Sequence, residues 1–381
     1  MNRLRLVFLS VGILFGAVFG VYLYFYFIRV MKFYGINTKK IPFRLLAIAI
    51  AAFLAWNCRN PWTTRAMIIL HLIAFAIAID LVALLWKLVS SKREFGTVGA
   101  TLKKLYGCGL LPVILTGMLL AYGYGNMQHI RKTEYQLETA KITGNYTLVL
   151  ITDTHYGTIQ DTNFLQAKAE EISGNLPDIV VLGGDIVEEG TSKAHMEEVF
   201  RVLGGIETKY GVYYVYGNHD RQSYTQDKSY TEAELKAAIT KNGITILEDN
   251  YIEINDELIL AGRGDAAWRN QSGRASVADI LKDADRNKYI IVADHQPVAA
   301  EENDEQGVDL LVSGHTHAGQ VWPIGHITEL FGTLNYGEYQ VGDCKVIVSS
   351  GFTGWGYPVR TQEHCEYVVI HLSGTNRLPS E

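Results

Sequence analysis

Nine side chains of the kinds that bind metal ions or transfer protons occur in five short motifs between residues 153 and 317. Each motif closely follows an apolar, β-branched run of the kind that forms a buried strand. Seven of these side chains offer an oxygen or nitrogen ligand: Asp153, His155, Asp185, Asn218, His295, His315 and His317. The other two, His219 and Asp220, stand beside Asn218 and are suited to proton transfer.

The five motifs are far apart in the sequence, but the strands before them predict that they meet in space. In α/β sheets, sites form at the carboxyl ends of strands. The predicted strands are Tyr146–Ile151, Asp178–Leu182, Gly211–Tyr216, Tyr289–Ala293 and Leu310–Ser313. We therefore expect the polar clusters that follow these strands to converge on one edge of an α/β core.

Seven oxygen and nitrogen ligands are about what two metal ions need when one carboxylate is shared and water completes the coordination. Mixed imidazole and carboxylate ligands favour Mn, Fe, Zn, Co or Ni over Ca, which prefers oxygen alone. Two such ions about 3.5–4 Å apart can hold a bridging hydroxide that attacks a phosphate ester. In this hypothesis His219 is the general acid for the leaving group, and Asp220 orients its imidazole.

Each motif has a simpler interpretation when it is taken alone. An Asp-x-His sequence is usually a turn, and Gly-Asp after a strand is an ordinary helix-capping signal. Asn218-His219-Asp220 is compatible with a hydrogen-bonded loop, and His315 and His317 with exposed side chains. The order and the ligand types of all five motifs together favour the metal site.

The same motifs resemble those of the calcineurin-like metallophosphoesterase family over roughly residues 146–372. The matching segments are Asp153-Thr154-His155, Gly184-Asp185, Gly217-Asn218-His219-Asp220, His295 and Gly314-His315-Thr316-His317. The run from Gly314 to Gln320 looks like that of bacterial membrane-associated phosphodiesterases. The resemblance implies a four-layer α/β (α+β) sandwich, in which two β-sheets are flanked by helices.

The resemblance also implies a division of the ligands between two divalent metal ions. Asp153, His155 and His317 would bind one ion. Asn218, His295 and His315 would bind the other, and Asp185 would bridge them. The sequence departs from the family pattern at Glu188, where many members have Asp, and at Asp294, where small or hydroxyl residues are common. A supporting role for Glu188 behind the ligands survives that change.

Residues 1–130 form a different kind of region, because they are mostly apolar. They predict an all-α transmembrane bundle of about four helices. The four candidate spans are Leu6–Ile28, Ile41–Cys58, Ala66–Leu88 and Leu105–Gln128. Residues 131–145 are interpreted as a polar linker, and residues 146–374 as the metallophosphoesterase domain.

Lys and Arg residues are concentrated in the loops after the first and third spans. Each of these loops holds five of them, whereas the loop after the second span holds only Arg59 and Arg65. By the positive-inside rule, the two richer loops are cytoplasmic and the C-terminal domain is extracytoplasmic. If the weak second span does not insert, three helices remain and the two ends of the bundle lie on opposite sides.

The sequence leaves three functional hypotheses. The first is a membrane-anchored phosphoesterase acting on phosphate mono- or diesters, with lipid or cell-envelope phosphodiesters as one substrate class. The second is a transport or sensor protein with a regulatory metal domain, in which Asp80 and His71 form an ion relay rather than polar contacts in the bundle. The third is an enzyme with the same chemistry that faces the cytoplasm.

The remaining features of the sequence limit the possible partners of the protein. The net charge of −6, without a long basic run in the soluble part, predicts no nucleic-acid partner. The expected partners are the lipid bilayer and a phosphate ester substrate. Arg263 and Arg360 are candidates for a bidentate clamp on the substrate phosphate, with pairing to carboxylates as the alternative.

Overall fold

The computed structural model describes residues 3–60, 63–89, 96–157, 161–268 and 273–375. The chain divides into two compact units, Met1–Tyr122 and Gly123–Glu381. We call them unit 1 and unit 2.

Unit 1 is helical in its described part. The helices are α1 (Arg3–Phe33), α2 (Ile41–Asn57), α3 (Thr64–Val89), α4 (Gly96–Cys108) and α5 (Leu111–Met127), whose last residues belong to unit 2. Among the described residues, two segments are long and apolar enough to cross a membrane, Gly16–Phe33 and Thr64–Leu88. Their length and composition indicate an association with a membrane.

The fourth predicted span coincides with two helices rather than one. Residues 105–128 belong to two helices, α4 and α5, which are bent by 75° relative to each other. The chain turns at Gly109, which has a φ of 71°, and Pro112 lies in the first turn of α5. The pair counts as a third span only if both helices form one broken crossing. The arrangement with four spans stays a prediction.

The two polar side chains predicted inside the spans have partners of their own. Asp80 accepts a 2.9 Å hydrogen bond from the Tyr22 hydroxyl and pairs with Arg29. The ring of His71 lies 2.7 Å from the carbonyl oxygen of Met67 in its own helix. These contacts favour a polar contact within the helices over an ion relay, because a paired Asp80 has its charge neutralised locally.

Unit 2 contains two sheets and six α-helices among its described residues. Its strands are β1 (Ile130–Thr139), β2 (Asn145–Ile151), β3 (Ile179–Leu182), β4 (Val212–Tyr214), β5 (Ile244–Ile246), β6 (Asn250–Glu253), β7 (Leu258–Gly262), β8 (Tyr289–Ala293), β9 (Leu310–Ser313), β10 (Gly337–Val341), β11 (Cys344–Val348) and β12 (Cys365–Gly374). Its helices are α6 (Thr162–Ser173), α7 (Lys193–Leu203), α8 (Glu232–Thr240), α9 (Val277–Ile280), α10 (Ala300–Glu305) and α11 (Ile324–Leu330).

The sheet order confirms the predicted fold class. The first sheet has the order β1-β12-β2-β3-β4-β5, and the second has the order β10-β11-β9-β8-β7-β6. β2, β3 and β4 are parallel neighbours, and so are β8 and β9. The strands that precede the five motifs therefore run in two parallel sets.

The alternation of side chains along each strand builds the layers. Leu148 and Leu150 of β2 belong to an apolar cluster that contains residues of both sheets, whereas Val149 and Ile151 pack with residues of α6 and α7. Successive side chains point to opposite faces of a strand, so the side chains of β2 contribute to two apolar clusters, one on each face of the sheet. The outer face of the second sheet forms a third cluster with residues of α9.

The interpretation of residues 131–145 as a linker is wrong for most of its length. Strand β1 lies there and pairs in parallel with β12, from Ile130 opposite Cys365 to Thr139 opposite Gly374. β1 is an edge strand, so most of its polar side chains remain in solvent while Ile130 and Leu137 are buried. The strand was missed because its composition is mostly polar. An edge strand needs only a few buried apolar side chains.

Candidate metal centre

The loops at the carboxyl ends of four strands, β2, β3, β8 and β9, bring six of the seven predicted ligands into two groups. In each group, one ligand atom per residue lies within 4.8 Å of the others. The first group is Asp153, His155 and His317, and the second is Asp185, His295 and His315. All six are buried except His315, which is partly buried. The predicted convergence at the strand ends therefore occurs. Five of the six residues are divided as the resemblance implies, and Asp185, which the resemblance makes the bridge, lies in the second group.

The first group has donor spacings suited to one cation. The Nε2 atoms of His155 and His317 lie 3.2 Å apart, and Asp153 Oδ1 lies 3.5 Å from His317 Nε2. With bonds of about 2.1 Å to a metal, neighbouring donor atoms lie about 3.0–3.4 Å apart. The third distance, from His155 Nε2 to Asp153 Oδ1, is 4.0 Å, so a shared ion would draw these two atoms slightly closer together.

Partners behind the two imidazoles of the first group leave their Nε2 atoms for the site. The Nδ1 atom of His317 lies 3.2 Å from the carbonyl oxygen of Thr353, and that of His155 lies 3.0 Å from Glu188 Oε2. Such contacts orient a ligand ring and strengthen its free nitrogen as a donor. Glu188 thus occupies the supporting place considered for it.

The second group contains a buried nitrogen with no hydrogen-bond partner. His295 Nδ1 lies 2.9 Å from the carbonyl oxygen of Gly183, while its Nε2 lies 3.1 Å from Asp185 Oδ2. Within the described residues, His295 Nε2 makes no hydrogen bond. Since buried polar atoms are normally satisfied, a nitrogen beside a carboxylate oxygen here indicates a place for a cation.

Asn218 borders the second group rather than belonging to it by a measured ligand distance. Its neighbour His219 donates a 2.8 Å backbone hydrogen bond to Asp185 Oδ1. The Asn218 side-chain oxygen is buried and has no hydrogen-bond partner among the described residues. An unsatisfied amide oxygen at this place is compatible with the predicted role as a ligand.

Five of the seven predicted ligands have left-handed backbone conformations. Their φ angles are 55° for Asp153, 41° for His155, 50° for Asp185, 69° for His315 and 50° for His317. This region costs a non-glycine residue of order 1 kcal/mol or more, and such residues cluster at functional sites. The fold therefore holds these side chains in place although their backbone conformations are strained.

Two glycines let the loops after β3 and β4 approach each other. A Cβ atom on Gly217 would lie 2.2 Å from Asp185 Oδ1, and one on Gly184 would lie 2.6 Å from the Gly217 nitrogen. A larger residue at Gly217 would displace Asp185, and one at Gly184 would displace Gly217 and His295. The glycines of the two motifs are thus required for the close approach of the loops.

The structure corrects the partner predicted for His219. Its Nδ1 lies 2.6 Å from Glu189 Oε2, and its ring centroid lies 5.5 Å from that of His155. Burial opposes protonation of His219, but the contact with Glu189 and the charge of Asp185 outweigh it and raise its pKa to about 9. The carboxylate that orients the imidazole is therefore Glu189 and not Asp220.

Asp220 holds the two loops together instead. Its buried carboxylate accepts backbone hydrogen bonds from Gly217 at 2.6 Å, Asp185 at 2.9 Å and Val187 at 3.1 Å. Burial and the nearby Asp185 raise the pKa of Asp220 to about 6. The predicted catalytic role of Asp220 is thus replaced by a role in positioning Asp185.

The charge states of Asp185 and His317 suit a cation. Burial lowers the pKa of His155 and of His295, but their contacts with Glu188 and Asp185 outweigh it and the net shift of both is upward. Burial raises the pKa of Asp185, but the charges of His295 and other histidines outweigh it, so the net shift is downward and the carboxylate is ionised. Burial lowers the pKa of His317 to about 3, so its imidazole is neutral at neutral pH. Metal ligands must be deprotonated in this way.

The two arginines considered as phosphate clamps have other partners. The guanidinium of Arg360 is fully buried and donates 2.8 Å hydrogen bonds to the carbonyl oxygens of His317, Ser350 and Thr353. Arg263 is also buried and pairs with Glu302 at 2.8 Å. Both arginines therefore stabilise loops.

Residues 146–319, which contain all nine motif residues, match the calcineurin-like phosphoesterase family. The chain carries a calcineurin-like metallophosphoesterase domain. This domain is that of a metal-dependent hydrolase of phosphoric esters, and the two groups of buried ligands are its candidate metal-binding residues.

Two relatives show how far the similarity extends. An uncharacterized metallophosphoesterase of Campylobacter jejuni is 27% identical over 307 residues, which cover 78% of this chain and 77% of that protein. A transmembrane protein with a metallophosphoesterase domain from Danio rerio is 28% identical over 279 residues, which cover 69% of this chain and 62% of that protein. The second relative is itself named as a membrane protein with this domain.

A solved structure is also similar. A dimetal phosphatase from Danio rerio is 14% identical, with a TM-score of 0.36, over 60% of this chain and 93% of that one. Similarity at this level gives no guide to the substrate.

Proposed function

We propose that the protein is a membrane-anchored phosphoesterase that uses two divalent metal ions to hydrolyse phosphate mono- or diesters. The proposal rests above all on one observation. Two groups of three ligands, five of the six buried, lie at the carboxyl ends of the strands, with His295 Nε2 3.1 Å from Asp185 Oδ2. A buried arrangement of this kind is stable when a cation neutralises it.

The ligand assignment that we propose has two sets. Asp153, His155 and His317 would hold one ion, and His295, His315 and Asn218 would hold the other, with Asp185 as the shared ligand. Mixed nitrogen and oxygen donors suit Mn, Fe, Zn, Co or Ni. When bound, two such ions supply the charge that acidifies a water molecule for attack and neutralises the phosphoryl oxygens.

The protein's own residues handle the leaving group. Glu189 holds the Nδ1 side of His219, which leaves the other ring nitrogen to donate a proton to the departing oxygen. Asp220 fixes the loop between Gly217 and His219, so that the imidazole and Asp185 keep their relative positions. The proposed general acid is therefore His219, oriented by Glu189.

The apolar helices of unit 1 support a site that works close to a membrane. We infer that lipid-linked or cell-envelope phosphodiesters are the substrate class and that unit 2 lies outside the cytoplasm. The Lys and Arg residues of the loops after the first and third spans support that orientation.

The test uses the full chain in lipid nanodiscs, stripped of metal and reloaded with Mn²⁺. We expect about two ions per chain by elemental analysis and hydrolysis of bis-p-nitrophenyl phosphate. Asp185→Asn should lose most of the bound metal, and activity should fall about 100-fold or more, because a shared ligand supports both ions.

His371→Asn is the matched control, because this imidazole is partly exposed and lies 3.4 Å from Glu134 on strand β1. It should leave metal content and activity unchanged. Full activity after His219→Ala and Asp185→Ala together would exclude the mechanism, and so would active wild-type protein that binds no metal.

A further inference from the structure

Unit 2 exposes a cluster of large apolar side chains on α11 and the residues beside it. The exposed fractions are 58% for Trp322, 42% for Ile324, 47% for Ile327, 84% for Leu330 and 85% for Phe331. We call these five residues the α11 patch. Isolated exposed apolar residues are common, but five within ten positions form a contiguous surface of the kind that marks an interface.

The patch points outward because the opposite face of α11 is fixed to the candidate metal centre. Ile324, Ile327 and Phe331 lie three, four and seven positions apart and therefore share one face of the helix. On the other face, the Gly325 nitrogen donates a 3.1 Å hydrogen bond to Gln362 Oε1. A Cβ atom on Gly325 would lie 2.5 Å from the Ala318 carbonyl oxygen, next to His317.

The patch also lies beside the point where helix α5 enters unit 2. A Cβ atom on Gly123, the first residue of unit 2, would lie 2.8 Å from Thr361 Cγ2. The Thr361 hydroxyl accepts a 3.0 Å hydrogen bond from the backbone nitrogen of Trp322. One residue thus contacts both the end of α5 and the beginning of the patch.

The end of α5 is firmly packed within unit 2. Met127 is fully buried, and the Asn126 side chain donates a 3.2 Å hydrogen bond to the Arg360 carbonyl oxygen. The last residues of α5, Asn126 and Met127, are therefore packed within unit 2 close to the residue that contacts Trp322. A bilayer that takes up the apolar residues of α5 is therefore the occupant that we consider for the patch.

We propose that the α11 patch inserts into the surface of the lipid bilayer. Trp side chains favour the interface, whereas Leu, Ile and Phe favour the boundary with the acyl chains. The polar side chains of α11, His326 and Glu329, lie 3.5 Å apart and form the flank that stays in water. Insertion holds the turn that carries His317 at the membrane surface, where lipid-borne esters are presented.

The test measures depth in the full chain reconstituted in phosphatidylcholine–phosphatidylglycerol vesicles. Nitroxide labels are placed at Leu330→Cys or Phe331→Cys, with Cys58 and Cys108 replaced by Ser. We expect labels on the patch to collide with oxygen at least about tenfold more than with a water-soluble nickel chelate, because oxygen concentrates in the acyl region and the chelate is excluded from it.

Leu176→Cys is the matched control. Leu176 is 80% exposed, and it lies just before the amino end of β3, opposite the end that carries the metal groups. Its label should favour the nickel chelate. Equal chelate access at all three positions would overturn the proposal. Shielding from both reagents that depends on the protein-to-lipid ratio would overturn it in favour of a second protein. Neither outcome would affect the metal chemistry proposed above.

Discussion

The carboxylate of Glu189 fixes the orientation of the His219 imidazole. Glu189 Oε2 is 2.6 Å from its Nδ1, and Tyr224 and Trp355 lie against the ring, with centroids 5.0 Å and 5.5 Å away. An imidazole held on one side by a carboxylate keeps a fixed orientation and a fixed tautomer. This arrangement suits a group that must deliver a proton to one departing oxygen.

The exchange Glu189→Gln removes the charge that orients His219 but keeps the shape of the side chain. We expect kcat to fall about 10- to 100-fold for alkyl esters and much less for p-nitrophenyl esters, because p-nitrophenolate departs without a proton. The measurement is the ratio of kcat for the two ester classes in the full chain.

The control is Glu207→Gln, which changes an exposed glutamate in the same unit. It should leave both rates unaltered. An equal loss of both rates in Glu189→Gln would point to a structural effect and contradict the assignment of His219 as general acid.

At the scale of elements, the segment between β11 and β12 is fixed by a buried cation rather than by apolar packing alone. Arg360 donates to three backbone carbonyl oxygens of two loops, including that of the ligand His317. A planar guanidinium has enough donors in fixed directions to join such groups. The loop that borders the metal centre therefore depends on one side chain.

The exchange Arg360→Met would remove a donor from each of these three buried carbonyl oxygens, of which those of His317 and Thr353 keep another partner. We expect the free energy of unfolding to fall by about 3 kcal/mol and metal affinity to fall about tenfold or more, since His317 loses its support. Thermal unfolding and metal titration of the full chain provide the measurements.

Arg360→Lys should restore part of the stability but less of the metal affinity, because an ammonium group cannot reach three carbonyls in one plane. Arg131→Met on the exposed face of β1 is the control and should change neither quantity. Wild-type metal affinity in Arg360→Met would show that the guanidinium does not position His317.

At the scale of the whole molecule, a mostly apolar helical unit and a metallophosphoesterase unit share one chain. The first contains two segments fit to cross a membrane, and the second contains both ligand groups. The domain boundaries at residues 146 and 374 remain predictions, as does the side of the membrane on which unit 2 lies. The distribution of Lys and Arg favours the outside.

A fusion of alkaline phosphatase to the C-terminus tests this orientation, because that enzyme folds only after export. We expect an active fusion, and an inactive one when the same reporter follows Lys40, in the predicted cytoplasmic loop. An inactive C-terminal fusion at normal expression would reverse the orientation and favour the hypothesis of a cytoplasmic-facing enzyme.

The sequence by itself determined the fold class and the residues that meet at the candidate site. It could do so because each ligand motif follows a buried strand, and the carboxyl ends of parallel strands share one edge of a sheet. The spacing of apolar residues sufficed for β2, β3, β8 and β9. The sequence also predicted the apolar helices near the N-terminus, because their apolar character depends on composition alone.

Only the tertiary structure decided which side chains support the ligands and which loops they join. Glu189, which the sequence did not single out, takes the place beside His219 that was expected for Asp220. The distance between loops, and not adjacency in sequence, determines which carboxylate contacts the imidazole. Edge strand β1 escaped prediction because an edge needs few apolar residues. The left-handed backbone at Asp153 and the other ligands depends likewise on packing around the site, for which single-sequence patterns carry no signal.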